Sequence, residues 1–323
     1  GFIVGYPFET EETLTDTLRT FFDFLTVGGH RAHLFTLCPF PEAPMFAEYA
    51  DSIGPLAEYH DLPLHPDPAE RGRSLLEGHK DIFCSAFRFS APALDPGLVS
   101  ATEEISAHLV LLRRLWPLVL PHYASAFDWY RRWVEWIAAE NRARRPGGRL
   151  AHHGDVADLL RFLAIELRRL DLENTALASL VRYEAIKHAA AGFLPPGAPA
   201  AESQGPLGPN SRIVRTCSYL AAPFRHDLRV LLAGQESAND SHSPAEPSWV
   251  VFAKTQDGEL HTLHTPPTAR RLFELAGEPR PVGELIADAL LRPPGPDDPG
   301  HAQVHQFLDQ LVACNLFSED RSS

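Results

Sequence analysis

Gly1-Phe2-Ile3-Val4-Gly5-Tyr6-Pro7-Phe8-Glu9-Thr10-Glu11-Glu12-Thr13 decides how the rest of this chain is read. Its first five residues are apolar and β-compatible. Tyr6-Pro7-Phe8 breaks the run, because proline fixes φ and cannot donate to a ladder. Thr10 then reads as a helix N-cap, with Glu11 and Glu12 in the first turn, where the helix dipole favours negative charge. Leu14, Leu18, Phe21, Phe22 and Leu25 follow at helical spacing, and Gly28-Gly29 is expected to stop the helix. Residues 33–37 read as a second strand, closed by Cys38-Pro39. Strand, crossover helix and strand in such succession predict one unit of a parallel α/β sheet or barrel. One unit cannot close a sheet, and Gly1 stands where a methionine is usual. The chain is therefore expected to be the C-terminal piece of something longer.

Working outward, the pattern turns helical over residues 74–192. Ile105, Leu109, Leu112 and Trp116 form an apolar stripe stopped by Pro117 and Pro121. Phe127, Tyr130, Trp133, Val134 and Ile137 form a second, Val156, Leu159, Leu160, Leu163 and Leu167 a third, and Leu177, Leu180, Val181 and Ile186 a fourth. Short connections predict an antiparallel helical bundle. Residues 195–209, rich in Pro, Gly and Ala, and 234–247, rich in Ser, Asn and Pro, read as linkers or loops. Residues 212–220 and 227–232 read as strands, and 249–254 and 259–263 as strands around a hairpin signal, Asp257-Gly258. Three helices follow, at 268–275, 282–290 and 301–314, the last ending at Asn315 in a left-handed cap.

The averages agree with such a chain. It has 323 residues, 44% hydrophobic and 22% charged, enough for two or three domains with real cores. A net charge of −13 argues against broad phosphate-backbone binding, which needs a basic face. Cysteines at 38, 84, 217 and 314 are too few and too scattered for a disulfide framework, which points to a reducing, cytoplasmic location. No apolar run approaches the ~20 residues of a membrane span, and no signal peptide is visible.

Few residues carry chemistry on their own. Cys38 closes the second strand at the rim where a parallel α/β unit places its functional groups, and it is the one cysteine singled out; Cys84, Cys217 and Cys314 sit among apolar residues and read as structural. His30 and His33 straddle a loop–strand junction, and His152-His153 are adjacent, so neither pair has metal-ligand spacing. Trp129-Tyr130-Arg131-Arg132-Trp133 mixes basic and aromatic residues as a nucleic-acid platform does, but helical spacing turns its aromatics toward a core. Arg142, Arg144, Arg145 and Arg149 read as a solvated loop. Glu103-Glu104 and the acids Asp155 and Asp158 have helix-surface explanations. Serine-hydrolase elbows, P-loops and dinucleotide fingerprints are absent from the sequence.

The opening motif, with Thr17 and Leu18 after it, closely resembles a segment of radical SAM enzymes, most of all those with an N-terminal cobalamin-binding domain. Their pattern is a strand, then G-x-P-x-E-T-x-E, then a helix. The next strand in that family ends in a P-x-P-G-T-like turn. Pro39-Phe40-Pro41-Glu42-Ala43-Pro44-Met45-Phe46 keeps both prolines but has Glu42 and Ala43 in place of the Gly and Thr. Gly78-His79-Lys80-Asp81-Ile82-Phe83 also looks like the tail of this family. The resemblance covers about the first 50 residues well and the helical region loosely. It implies part of a (β/α) barrel carrying SAM at its C-terminal rim. On that basis Ile3 and Gly5 lie near the adenine, with Pro7, Glu9 and Cys38 completing the cofactor-binding candidates and Glu9 fixing the loop and helix start rather than doing chemistry. The family's [4Fe–4S] cluster needs three closely spaced cysteines, which this chain lacks. The cluster, and cobalamin if used, would be held in a part of the protein preceding Gly1.

Residues 249–317, with Gly277-Glu278-Pro279-Arg280-Pro281-Val282-Gly283-Glu284-Leu285-Ile286 at their centre, resemble a winged helix of the PqqD type. Such elements accompany radical SAM enzymes acting on ribosomal peptides and bind an extended leader peptide along a sheet edge. Six basic against twelve acidic residues in 245–323 disfavour DNA as its partner. The expected architecture is therefore α/β plus α-helical. It comprises the βα remnant of a TIM-like barrel (1–50), a helical domain (51–193), a linker (194–211) and strands with a winged-helix α+β module (212–323). The expected function is the C-terminal part of a radical SAM enzyme of the cobalamin-dependent type, modifying an unactivated carbon, with C-methylation of a peptide or natural product as one form. The alternative is a non-catalytic peptide-binding or scaffold protein using the winged helix.

Overall fold

A computed structural model describes residues 1–27, 32–55, 78–144, 154–195, 197, 207, 210–226, 228–232, 248–265, 267–291 and 299–319. It is mixed α/β with small sheets, and no barrel closes among the described residues. The chain packs as two units, Gly1–Leu170 and Asp171–Ser323.

In the first unit, β1 (Phe2–Val4), α1 (Glu11–Thr26) and β2 (Leu34–Thr36) form the expected parallel unit, with Phe2 opposite Leu34, Ile3 opposite Phe35 and Val4 opposite Thr36. Thr10 caps α1 through a reciprocal pair of bonds with Thr13: the Thr13 amide donates to Thr10 Oγ1, and the Thr10 amide to Thr13 Oγ1. Leu14, Leu18, Phe21, Phe22 and Leu25 form its buried stripe, as the 3.6-residue period requires. The helix is capped at Val27; Gly28-Gly29 lie outside the described residues. Alternation along the strands is strict. Val4, Leu34 and Thr36 are buried, while Ile3 and Phe35 on the other face are 45% and 47% exposed.

Between residues expected to lead into helices lies a small antiparallel pair, β3 (Ile53–Pro55) with β4 (Phe87–Phe89), after the short α2 (Pro44–Glu48). The helices proper begin later than the sequence pattern placed them: α3 (Pro96–Leu111), α4 (Trp116–Val119), α5 (Ala126–Arg144) and α6 (Val156–Arg169). The expected stripes on α5 and α6 are buried; Trp116 and Trp129 pack edge-on against Phe22 of α1, and Phe162 packs edge-on against Trp129 and Trp133. The aromatics of the 129–133 segment are thus core, as helical spacing predicts.

The second unit begins with α7 (Ala176–Phe193), which packs on its sheet. The sequence pattern alone grouped this helix with residues 51–193. β5 (Arg212–Arg215) and β6 (Ser218–Phe224) divide what reads in the sequence as one strand. Leu228–Leu232, read as a strand, is a short helix, α8, because five residues with one arginine among four aliphatics have no period to distinguish the two. β7 (Ser248–Lys254) lies at the centre of an antiparallel sheet between β6 and β8 (Leu260–Thr265). Gly258, at φ +86°, lets the β7–β8 hairpin turn where Asp257-Gly258 predicted it. Then come α9 (Pro267–Leu275), β9 (Arg280–Pro281), α10 (Val282–Leu290), α11 (Pro299–Ala313) and β10 (Phe317–Glu319). Val250 to Ala253 are fully buried: Val251 and Ala253 join the core of α9–α11, while Phe252 meets Tyr183 of α7. Asn315, at φ 55°, ends α11 in the expected left-handed cap. Its amide donates to the Val312 carbonyl, and that of Leu316 to Leu311.

Candidate functional site

The turn after β1 is built by one buried carboxylate. Gly5 adopts φ +85°, and its amide and that of Tyr6 both donate to Glu9 Oε2, the second at 3.3 Å. The Glu9 amide in turn donates to the Tyr6 carbonyl at 2.9 Å. Burial raises the Glu9 carboxyl above its ordinary value, although the two amides pull it down. The side chain that the sequence offered as a loop fixer therefore holds the loop, immediately before the Thr10 cap. Gly5 is required twice over. Its φ is one that L side chains rarely adopt, and a Cβ there would lie 2.9 Å from Val99 Cγ1 and 3.1 Å from Thr36 Cγ2. The atoms closest to Gly5 are thus its own protein's.

The structure brings the other candidates to the same end of the sheet. Pro7 is buried in the turn. Ile3 stands beside Phe35 on the open face of β1–β2. Phe8 and Phe40, in the loops that follow each strand, are exposed as well. Cys38, two residues past β2, donates its thiol to the carbonyl of Cys84 at 3.2 Å. Cys84 read as merely structural in the sequence; nothing in its local context signals a neighbour 46 positions away.

Among the described residues no group of three or more His, Cys, Asp or Glu side chains is placed to hold a metal ion. Cys38 and Cys84 lie in the first unit and Cys217 and Cys314 in the second. A cluster needing three thiolates together does not fit this donor set. His30, His152-His153, Arg145 and Arg149 lie outside the described residues. His33 is exposed beside Phe35, and Arg144 binds Asp158 at 2.6 Å, so that arginine is engaged within its own helix pair.

A polar cluster not evident in the sequence pins the helices of the first unit. Glu166, 4% exposed, receives Arg132 Nε at 2.9 Å and Nη2 at 3.0 Å, Arg169 Nη2 at 2.8 Å, and the Tyr123 hydroxyl at 2.9 Å. Burial alone would raise its carboxyl, but these donors prevail and bring it down to about 2. The tyrosine is pushed above its ordinary value by burial and by the adjacent carboxylate. These roles are structural: every donor is turned onto the one carboxylate.

The second unit carries a groove of about 370 Å³ between α9 and α11. Leu272, Leu290, Val304 and Phe307 make it apolar, Gln303, Gln306 and Gln310 edge it with amides, and none of its described lining residues is charged. Their spacing along α11 was the available signal, since 303, 306 and 310 repeat at a helical period. Within the sheet, β8 pairs with β7 along one edge, and no further strand joins it among the described residues.

Comparison with protein-family models and with curated proteins found no match for this chain. No helix among the described residues is long and apolar enough to cross a membrane.

Proposed function

We propose that this chain is the C-terminal portion of a radical SAM enzyme of the cobalamin-dependent type, which modifies an unactivated carbon of a peptide substrate. The observation that carries the reading is the one-sided β1–β2 sheet. Parallel strands are ordinarily covered on both faces, yet Ile3 and Phe35 remain open while the opposite face is buried. A barrel segment, whose inner face is completed by further strands and a ligand, would account for that open face. The Gly5–Glu9 turn and Cys38 stand at the C-terminal end of those strands, where α/β barrels place their chemistry. SAM would lie along Ile3 and the Gly5 turn. The cluster belongs to residues outside these 323, and cobalamin likewise.

The second unit supports the substrate half of the proposal. Three antiparallel strands followed by three helices are compatible with a winged helix of the peptide-binding kind. The edge of β8 away from β7 would offer backbone groups to an extended chain, and the uncharged α9–α11 groove would suit apolar side chains. The same features favour a second reading, a peptide-binding scaffold without chemistry, because this chain's own cysteines do not assemble a cluster.

Iron and sulfide analysis separates the two. After anaerobic reconstitution, the protein extended by its in-frame upstream sequence is expected to hold stoichiometric iron and sulfide and to cleave SAM reductively. An upstream sequence without closely spaced cysteines, or an extended protein without iron that still binds peptide, overturns the enzyme reading and leaves the scaffold.

A further inference from the structure

We propose that Cys38 and Cys84 form a reversible disulfide that ties the loop leaving β2 to the turn entering β4. The thiol of Cys38 already touches the backbone of Cys84, 3.2 Å from its carbonyl oxygen, although the two residues are 46 positions apart. Packing on either side holds them there. Leu37 and Phe83, the neighbours of the two cysteines in sequence, both pack on the small core of Ile53, Ala86, Phe87 and Phe89. Both cysteines are half-buried, accessible to a small oxidant yet positioned by the fold, and neither is in a disulfide in this structure. For the bond to form, the Cys84 side chain must turn to meet the Cys38 thiol that already lies against its own backbone.

The other pair contrasts with this one. Cys217 is buried, and burial pushes its thiol up to about 11, which keeps it protonated and unreactive. Cys217 is thereby a poor competitor for the oxidant. With a peroxide as the oxidant, one thiolate attacks the peroxide oxygen, the O–O bond breaks, and a sulfenic acid and water result. The second thiolate attacks the sulfenic sulfur, the S–S bond forms, and hydroxide leaves as a second water. Two thiols are oxidised by two electrons, and one peroxide is reduced to two waters. A dithiol reductant reverses the exchange. The inference does not depend on the enzyme reading above.

The test uses the whole chain. Reduced protein is treated with about one equivalent of hydrogen peroxide, remaining thiols are alkylated, and peptides are mapped without reduction. The expected result is a single linked species joining the peptides of Cys38 and Cys84, lighter by two hydrogens, reversed by dithiothreitol, with Cys217 and Cys314 recovered alkylated. C38S and C84S should each abolish the link. The oxidised chain should also melt higher than the reduced one, by about 5 °C or more, since a cross-link over a loop of this length restricts the unfolded chain. Separate alkylation or over-oxidation of Cys38 and Cys84, links to Cys217 or Cys314, or links between chains overturn the proposal. If the link forms but the melting temperature is unchanged, the tie it describes is absent.

Discussion

Two of the sheets of this protein, β1–β2 and β6–β7–β8, use similar residues and reach opposite outcomes. Phe2-Ile3-Val4 and Trp249-Val250-Val251-Phe252-Ala253 are both apolar, β-prone runs. In the second unit the run is covered on both faces, by α7 on one side and by α9–α11 on the other, and four consecutive residues are sealed from water. In the first unit only alternate residues are covered, and Ile3 and Phe35 face outward. The second unit is therefore organised around its sheet. The first is organised around its helices, with the sheet resting on α1 and α3 by one face.

This contrast sets the order of several effects. Phe252→Ala should be the most damaging, removing about 3–5 kcal/mol from the second unit by urea unfolding, because it opens a cavity inside a two-sided core. A loss below about 1 kcal/mol would mean that the second sheet is no better packed than the first. Glu166→Gln should cost the first unit about 2–3 kcal/mol, less than the loss of a fully enclosed ion pair because Arg132 and Arg169 remain partly solvated. The same carboxylate predicts a pH signature. Its folded value of about 2 lies below the ordinary 4.5, so its contribution is complete above about pH 4.5 and disappears as the pH falls through 2. Acid unfolding of the parent protein should show that loss, and the variant should not. Gly5→Ala should lower thermal stability by about 1–2 kcal/mol, through the left-handed φ and the contact with Val99. Ile3→Ser should change the stability of this chain by less than about 0.5 kcal/mol, since the side chain is half exposed. A large loss at Ile3 would show that its face is already covered.

What could be read from the sequence was what is encoded over a few residues. The Thr10 cap, the Asp257-Gly258 turn and the left-handed Asn315 depend on neighbours within four or five positions, and the residue types disclose them. The stripes of α1, α5 and α6 follow from their period. What escaped needs distant partners. β4 is only three residues long and is a strand because Ile53–Pro55 lies beside it, with Gly54 opposite Arg88, 34 positions later. Glu166 looks like any helix-surface acid until Tyr123, from the loop before α5, and Arg132, from α5 itself, converge on it. Leu228–Leu232 illustrates a different difficulty, because so short a mostly aliphatic stretch satisfies either pattern and only the tertiary setting chooses. At the candidate site, the role of Glu9 in fixing the loop was legible, but the left-handed turn at Gly5 and the meeting of Cys38 with Cys84 were not.

The cap at Asn315 turns α11 into β10, and β10 lies antiparallel to β5, with Glu319 opposite Ile213. The segment from Arg212 to Glu319 thus begins and ends on neighbouring strands. Its termini are close enough for a short peptide to join them, so the segment is suited to circular permutation, with new ends placed at the exposed Asp257-Gly258 turn. Evolution has the same freedom: a unit whose entrance and exit adjoin can be inserted into, or moved between, larger proteins without disturbing the strands that flank it.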